Sequence, residues 1–97
     1  MKTSDKGIIS LIAHEGVVPA PYLDSVGVWT FGIGHTSAAG APHPKEMTRG
    51  MPKDLDAAIK EAFAVFKRDL AKYEADVEKA FTRTPSQSQF DAAVSFH

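Results

Sequence analysis

Three stretches of this chain place their apolar residues at a helical period, and one alternates as a strand does. From Ser4 to Glu15, the positions Ile8, Leu11, Ile12 and Glu15 recur on one helical face. Ser4 is a helix-capping residue, Asp5 suits the positive end of the helix dipole, and Gly16 marks a stop. Val17 to Pro21 reads as a connector, because Pro19 and Pro21 forbid a helix. Tyr22 to Asp24 then reads as a short strand, Ser25-Val26-Gly27 as a turn, and Val28 to Ile33 as the returning strand of a hairpin. Alternation puts Thr30 on the face of Val28 and opposite Trp29 and Phe31.

The stretch from Thr36 to Lys53, with Pro42, Pro44 and Pro52, reads as a long loop. From Asp54 to Phe81 a long helix is expected. Leu55, Ile59, Phe63, Phe66, Leu70, Tyr73, Val77 and Phe81 form its apolar stripe, and charged residues that include Lys67, Glu74 and Glu78 form the solvated face. Thr82 to Pro85 breaks the pattern. Ser86 and Gln89 have the spacing of a capping box, and a last helix follows with Phe90, Ala93, Val94 and Phe96 on its apolar side. No glycine, basic turn or polar tail closes that helix before His97. The chain therefore reads as the front part of a longer domain, in which Phe90, Val94 and Phe96 have no later element to pack against.

Composition narrows the function. The chain has 97 residues, the size of one small domain or a piece of one. Its net charge is −1 with interspersed signs, a poor footprint for nucleic acid. It has no cysteine, which excludes disulfides and thiolate metal sites. His14, His35, His43 and His97 have no ligand spacing, so no metal is expected. No apolar run is long enough to span a bilayer. The first residues are interrupted by Asp5 and Gly7 and precede no small-residue cleavage site, so no signal peptide is expected. Gly32-Ile33-Gly34 lacks the lysine and helix start of a phosphate loop and reads as a bend.

The candidate chemistry lies between Glu15 and Thr30. Glu15 falls in line with an apolar stripe, where partial burial would suit a proton donor; the competing reading is a helix-end glutamate turned to water. Asp24 follows near the hairpin turn, and the returning strand brings Thr30 towards it. Two carboxylates on separate elements are what glycosidic-bond hydrolysis requires.

Glu15, Asp24 and Thr30 stand in the pattern E-G-x-x-x-x-x-Y-x-D-x-x-G-x-x-T-x-G-x-G-H, which resembles the phage-type lysozymes, the endolysins of glycoside hydrolase family 24. An aspartate and a threonine at given offsets from a glutamate arise by chance about once in 400. Tyr22, Gly27, Gly32, Gly34 and His35 extend the match, as do Phe66 to Asp69 and Ser86 to Phe96. The resemblance implies an α+β lysozyme-like fold: a small lobe with the first helix and hairpin, a long inter-lobe helix, and a large helical lobe mostly missing here. In those terms residues 1–53 hold the helix, hairpin and loop, 54–81 the long helix, and 86–97 the start of the large lobe.

The resemblance also implies a reaction, hydrolysis of the β-1,4 bond between N-acetylmuramic acid and N-acetylglucosamine in bacterial peptidoglycan. Glu15 would be the general acid, Asp24 would activate or orient water, and Thr30 would hold that water. His35 would pair structurally with Asp69. Inversion requires carboxyl groups about 6.5–9.5 Å apart. No cofactor is implied, nor any stable membrane insertion. Synthesis would be cytoplasmic and action on the wall or periplasm, with a holin-type partner for export. Two rivals stand beside this reading: a lytic transglycosylase, and an inactive fragment that binds glycan or merely folds.

Overall fold

The computed structural model describes residues 1–96, so the expectation attached to His97 falls outside the described residues. The elements run α1 (Asp5–Glu15), β1 (Val18–Leu23), β2 (Trp29–Gly32), β3 (His35–Thr36), two 3-10 turns (Ser37–Ala39 and Pro44–Glu46), α2 (Leu55–Ala80) and α3 (Gln87–Ser95). The three strands form one antiparallel sheet in the order β1-β2-β3, and the architecture is α+β as expected.

The first strand corrects the sequence reading. It starts at Val18 and passes through both prolines that were expected to make a connector. Edge strands tolerate proline, because an outward-facing position needs no N–H donor. β1 is such an edge, and its register is irregular: Val18 faces Gly32 while Tyr22 faces Thr30. Asp24 lies beyond the strand, in the turn. The two-residue β3 was not expected. The chain reverses at Ile33-Gly34 so that Phe31 pairs with His35 and Thr30 with Thr36. β2 is therefore the central strand, and Thr30 and Phe31, on opposite faces, are both buried. The stretch from Thr36 to Lys53 has more structure than a plain loop, with two 3-10 turns and a buried Pro44.

α2 opens where Asp54 accepts the Ala57 N–H at 3.0 Å. Its buried positions are Ala62, Val65, Phe66, Asp69, Leu70, Glu74 and Val77, a single helical face. That face is displaced from the expected stripe. Leu55 and Phe63 are substantially exposed, while Ala62 is fully buried. The reason is a close approach of backbone: a methyl group built on Gly32 would lie 3.0 Å from the Ala62 Cβ. Phe31, Ala62 and Val65 form a core there, flanked by Val17 and Met47. Glu74, assigned above to the solvated face, is buried, and its Oε2 accepts the Thr3 N–H at 2.6 Å.

The described chain divides into two compact units, one of residues Met1–His14 with the chain from Leu70 on, the other Glu15–Asp69. Within the first, Ser86 and Gln89 form the expected capping box of α3. Phe90 and Val94, expected to have no later element to pack against, are nevertheless buried, whereas Phe96 is 91% exposed. The chain's first residues reach α3: Asp91 accepts the Ser4 N–H at 3.0 Å and the Ser4 hydroxyl, and Gln87 donates to the Lys2 carbonyl at 2.9 Å. Ser4 also caps α1 by accepting the Gly7 N–H at 3.1 Å.

Asp91 gives this arrangement a pH dependence. Burial pushes its carboxyl up, but hydrogen bonds from the Ser4 hydroxyl, the Ser4 N–H and the Gln87 amide outweigh burial and hold it below the usual aspartate value. A folded value below the unfolded one, about 3.9, gives stabilisation that is full above that value and is lost as pH falls through the folded value. The acid-induced loss of thermal stability below about pH 4 should therefore be smaller in Asp91→Asn than in the unmodified chain. Equal pH slopes in unfolding scans would remove Asp91 from this account.

Candidate functional site

The site is built in the Glu15–Asp69 unit. Asp24 organises the hairpin turn: its Oδ1 accepts the N–H groups of Val26 and Val28, both at 2.9 Å. Its own N–H donates to the Val28 carbonyl at 3.0 Å, and the Gly27 N–H returns to the Asp24 carbonyl at 3.1 Å. Such side-chain-to-backbone bonds are what place aspartate in tight turns. Thr30 is fixed to the same point, because its hydroxyl donates to the Val28 carbonyl at 3.0 Å. One carbonyl thus holds the backbone of Asp24 and the side chain of Thr30. Asp24 is half-buried and Thr30 buried.

Glu15 ends α1 and is exposed; in the described chain the reading of a glutamate turned to water holds over partial burial. Its carboxyl nevertheless lies against the second hairpin turn. A methyl group built on Gly34 would stand 2.6 Å from Glu15 Oε2 and 2.9 Å from the carboxyl carbon. Gly34 also has φ +69°, a left-handed conformation that side chains other than glycine rarely adopt. Gly34→Ala should therefore displace the Glu15 carboxyl as well as strain the turn. For the role that the resemblance implies for Glu15, the expected result is a loss of about 100-fold in peptidoglycan cleavage, the scale of a reacting group misplaced by an ångström. Wild-type turnover in that variant would show that the contact does not matter.

Tyr22 lies directly across the ladder from Thr30, so the two side chains share a sheet face. Burial first, then the Glu15 carboxylate, then that of Asp24, hold its phenol above the usual tyrosine range. Both carboxylates therefore act on one hydroxyl. Tyr22 stood in the sequence motif without a role; its pairing with Thr30 depends on a register that periodicity alone does not supply.

His35 is 1% exposed and anchors β3. Its Nδ1 meets Asp69 Oδ2 at 2.5 Å, and its Nε2 meets the Pro42 carbonyl at 2.7 Å. Arg68 reaches the Ala41 carbonyl at 2.5 Å beside it. The Arg49 guanidinium covers the Trp29 ring at 4.1 Å from its centroid. A hollow of about 550 Å³ in the same unit is lined by Pro19, Pro21, Phe31, Met47 and Glu61 among others, and none of Glu15, Asp24 and Thr30 borders it. Among the described residues, no three histidine, aspartate or glutamate side chains gather as a metal site, and no helix is long and apolar enough to cross a membrane.

The fold is shared with solved structures. An endolysin from Escherichia coli O157:H7 phage FAHEc1 matches with a TM-score of 0.74 and 29% identity, over 98% of this chain and 55% of that one. The muramidase domain of SpmX from Asticaccaulis excentricus matches with a TM-score of 0.67 and 27% identity, over 98% of this chain and 56% of that domain. The chain thus spans about half the length of the structures it matches. Among curated proteins none matches. The Phage lysozyme family model matches residues 12–97, which takes in Glu15, Asp24, Thr30 and the whole hairpin, and the chain belongs to that family.

Proposed function

We propose that this chain carries the catalytic residues of a peptidoglycan-cleaving lysozyme, which hydrolyses the β-1,4 bond between N-acetylmuramic acid and N-acetylglucosamine with inversion. The observation that supports this reading is the gathering of Glu15, Asp24 and Thr30 around one hairpin, with both carboxylates acting on the Tyr22 phenol. Membership of the Phage lysozyme family and likeness to an endolysin and a muramidase domain supply the substrate class.

In this mechanism Glu15 donates its proton to the glycosidic oxygen as that bond breaks and oxocarbenium character develops. Water attacks the anomeric carbon from the opposite face, and Asp24 accepts a proton from it. Asp24 has one oxygen engaged by the turn, and the other has no hydrogen-bond partner among the described residues, so it serves as turn anchor and proton acceptor together. Thr30 presents its hydroxyl oxygen as an acceptor, since its proton goes to Val28. The whole enzyme acts on the wall from outside the compartment of its synthesis, with a holin-type partner providing passage.

The test is product analysis on purified peptidoglycan with the whole enzyme. New reducing ends support hydrolysis. Anhydro-sugar ends would assign a transglycosylase, and no cleavage would leave a glycan-binding or purely structural role.

A further inference from the structure

The holding of the attacking water leaves a donor unassigned. A water oriented for attack offers two protons and one lone pair to its surroundings, and directs the other lone pair at the anomeric carbon. Ionised Asp24 only accepts. Thr30 also only accepts in this geometry, because its single proton is committed to the Val28 carbonyl at 3.0 Å. These two groups can take the water's two protons, but neither can give it a hydrogen bond. Without a third contact the water is free to rotate about the two acceptors.

Tyr22 is the side chain placed to supply that contact. It stands opposite Thr30 in the ladder and two residues before Asp24. Among the described residues its phenol has no intramolecular hydrogen-bond partner. The phenol is half-buried, and both carboxylates act on it. Burial, and then their negative charge, hold the phenol above the usual tyrosine range, so the hydroxyl keeps its proton and is a donor through neutral pH.

We propose that the Tyr22 hydroxyl donates a hydrogen bond to the water held by Asp24 and Thr30, and so fixes the lone pair that attacks the sugar. Tyr22 would thus touch the nucleophile without exchanging a proton with it. The inference rests on the roles given above to Glu15, Asp24 and Thr30, and the experiment separates the two failures.

The experiment compares the whole enzyme with Tyr22→Phe, and uses Asp24→Asn as the reference for loss of the base. Tyr22→Phe keeps the ring and removes only the donor. The expected result is kcat lower by about 10- to 100-fold with KM within twofold, the pattern of a misoriented reactant rather than lost binding. In parallel, NMR of chain carrying 13Cζ-labelled tyrosine follows the Tyr22 titration, with Tyr73→Phe identifying its signal. Glu15→Gln and Asp24→Asn should each lower the Tyr22 midpoint. A kcat within twofold of wild type in Tyr22→Phe, with Asp24→Asn inactive, would overturn the proposal and leave the lysozyme reading intact. A Tyr22 titration that neither carboxamide moves would overturn it even if kcat falls, because the ring would then be acting through packing alone. Full activity in Asp24→Asn would remove the lysozyme roles and this proposal together.

Discussion

Glu15→Gln in the whole enzyme should abolish cleavage of peptidoglycan while leaving the fold intact. The substitution keeps the side chain's size and its place against Gly34, but it takes away the proton that the proposed mechanism gives to the leaving oxygen. General acid catalysis contributes about 10²- to 10⁴-fold, so turnover should fall by at least the lower of these factors. Stability should be nearly unchanged, because Glu15 is exposed, so the amide stays in water as the carboxyl does. Thermal unfolding and reducing-end release on the same preparations separate the two effects. A stable variant with more than a tenth of the wild-type rate would remove Glu15 as the proton donor.

The largest expected effect on stability is at the buried pair of His35 and Asp69. Both ring nitrogens are engaged, Nδ1 with the Asp69 carboxyl at 2.5 Å and Nε2 with the Pro42 carbonyl at 2.7 Å. The side chains are 1% and 4% exposed, so the pair is shielded from solvent. His35→Ala would leave the Asp69 carboxylate buried without its partner, with Oδ1 already unbonded within the protein. Breaking such a pair costs about 3–5 kcal/mol. That is a large share of the roughly 5–15 kcal/mol that holds a domain together. The pair ties β3 to α2, so β3 and the Gly34 turn under Glu15 should loosen with it. The double change His35→Leu with Asp69→Leu, which removes both polar groups, should be markedly less destabilising than either single truncation. Denaturant unfolding of the three variants checks this. A loss below about 1 kcal/mol in His35→Ala would show that the pair is dispensable.

The fold was legible where local rules decide it. The capping box of Ser86 and Gln89, the cap at Ser4 and the long period of α2 each depend on residues within a few positions. The errors lie where distant parts of the chain meet. Pro19 and Pro21 read as breaks because proline lacks a donor, yet an edge strand does not ask for one, and the edge is defined only once β2 and β3 pair. The buried face of α2 runs through Ala62 and not Phe63, because Gly32 approaches the helix too closely for a larger side chain. Glu74 reads as solvated until the Thr3 N–H arrives from 71 positions away. Phe90 and Val94 read as uncovered because the return of the first residues to α3, through Ser4 and Asp91, has no periodic signature.

The site shows the same division. Glu15, Asp24 and Thr30 stand out by residue type and spacing, and the Asp24 turn follows from aspartate's own chemistry. The roles argued for Gly34 and Tyr22 require three-dimensional placement: Gly34 because the Glu15 carboxyl occupies the space of its missing side chain, Tyr22 because strand register sets it across from Thr30.

The central claim, that Glu15 protonates the leaving group while Asp24 and Thr30 direct water to the opposite face, has a stereochemical consequence. Inversion at the anomeric carbon turns a β-linked N-acetylmuramic acid into an α reducing end. Proton NMR of the first products, taken from the whole enzyme and a soluble glycan fragment before mutarotation equilibrates the anomers, measures this directly. The account predicts the α anomer in excess at the earliest time points, relaxing afterwards to the equilibrium mixture. An initial excess of the β anomer would mean retention through a second displacement, and would contradict the roles assigned to Asp24 and Thr30.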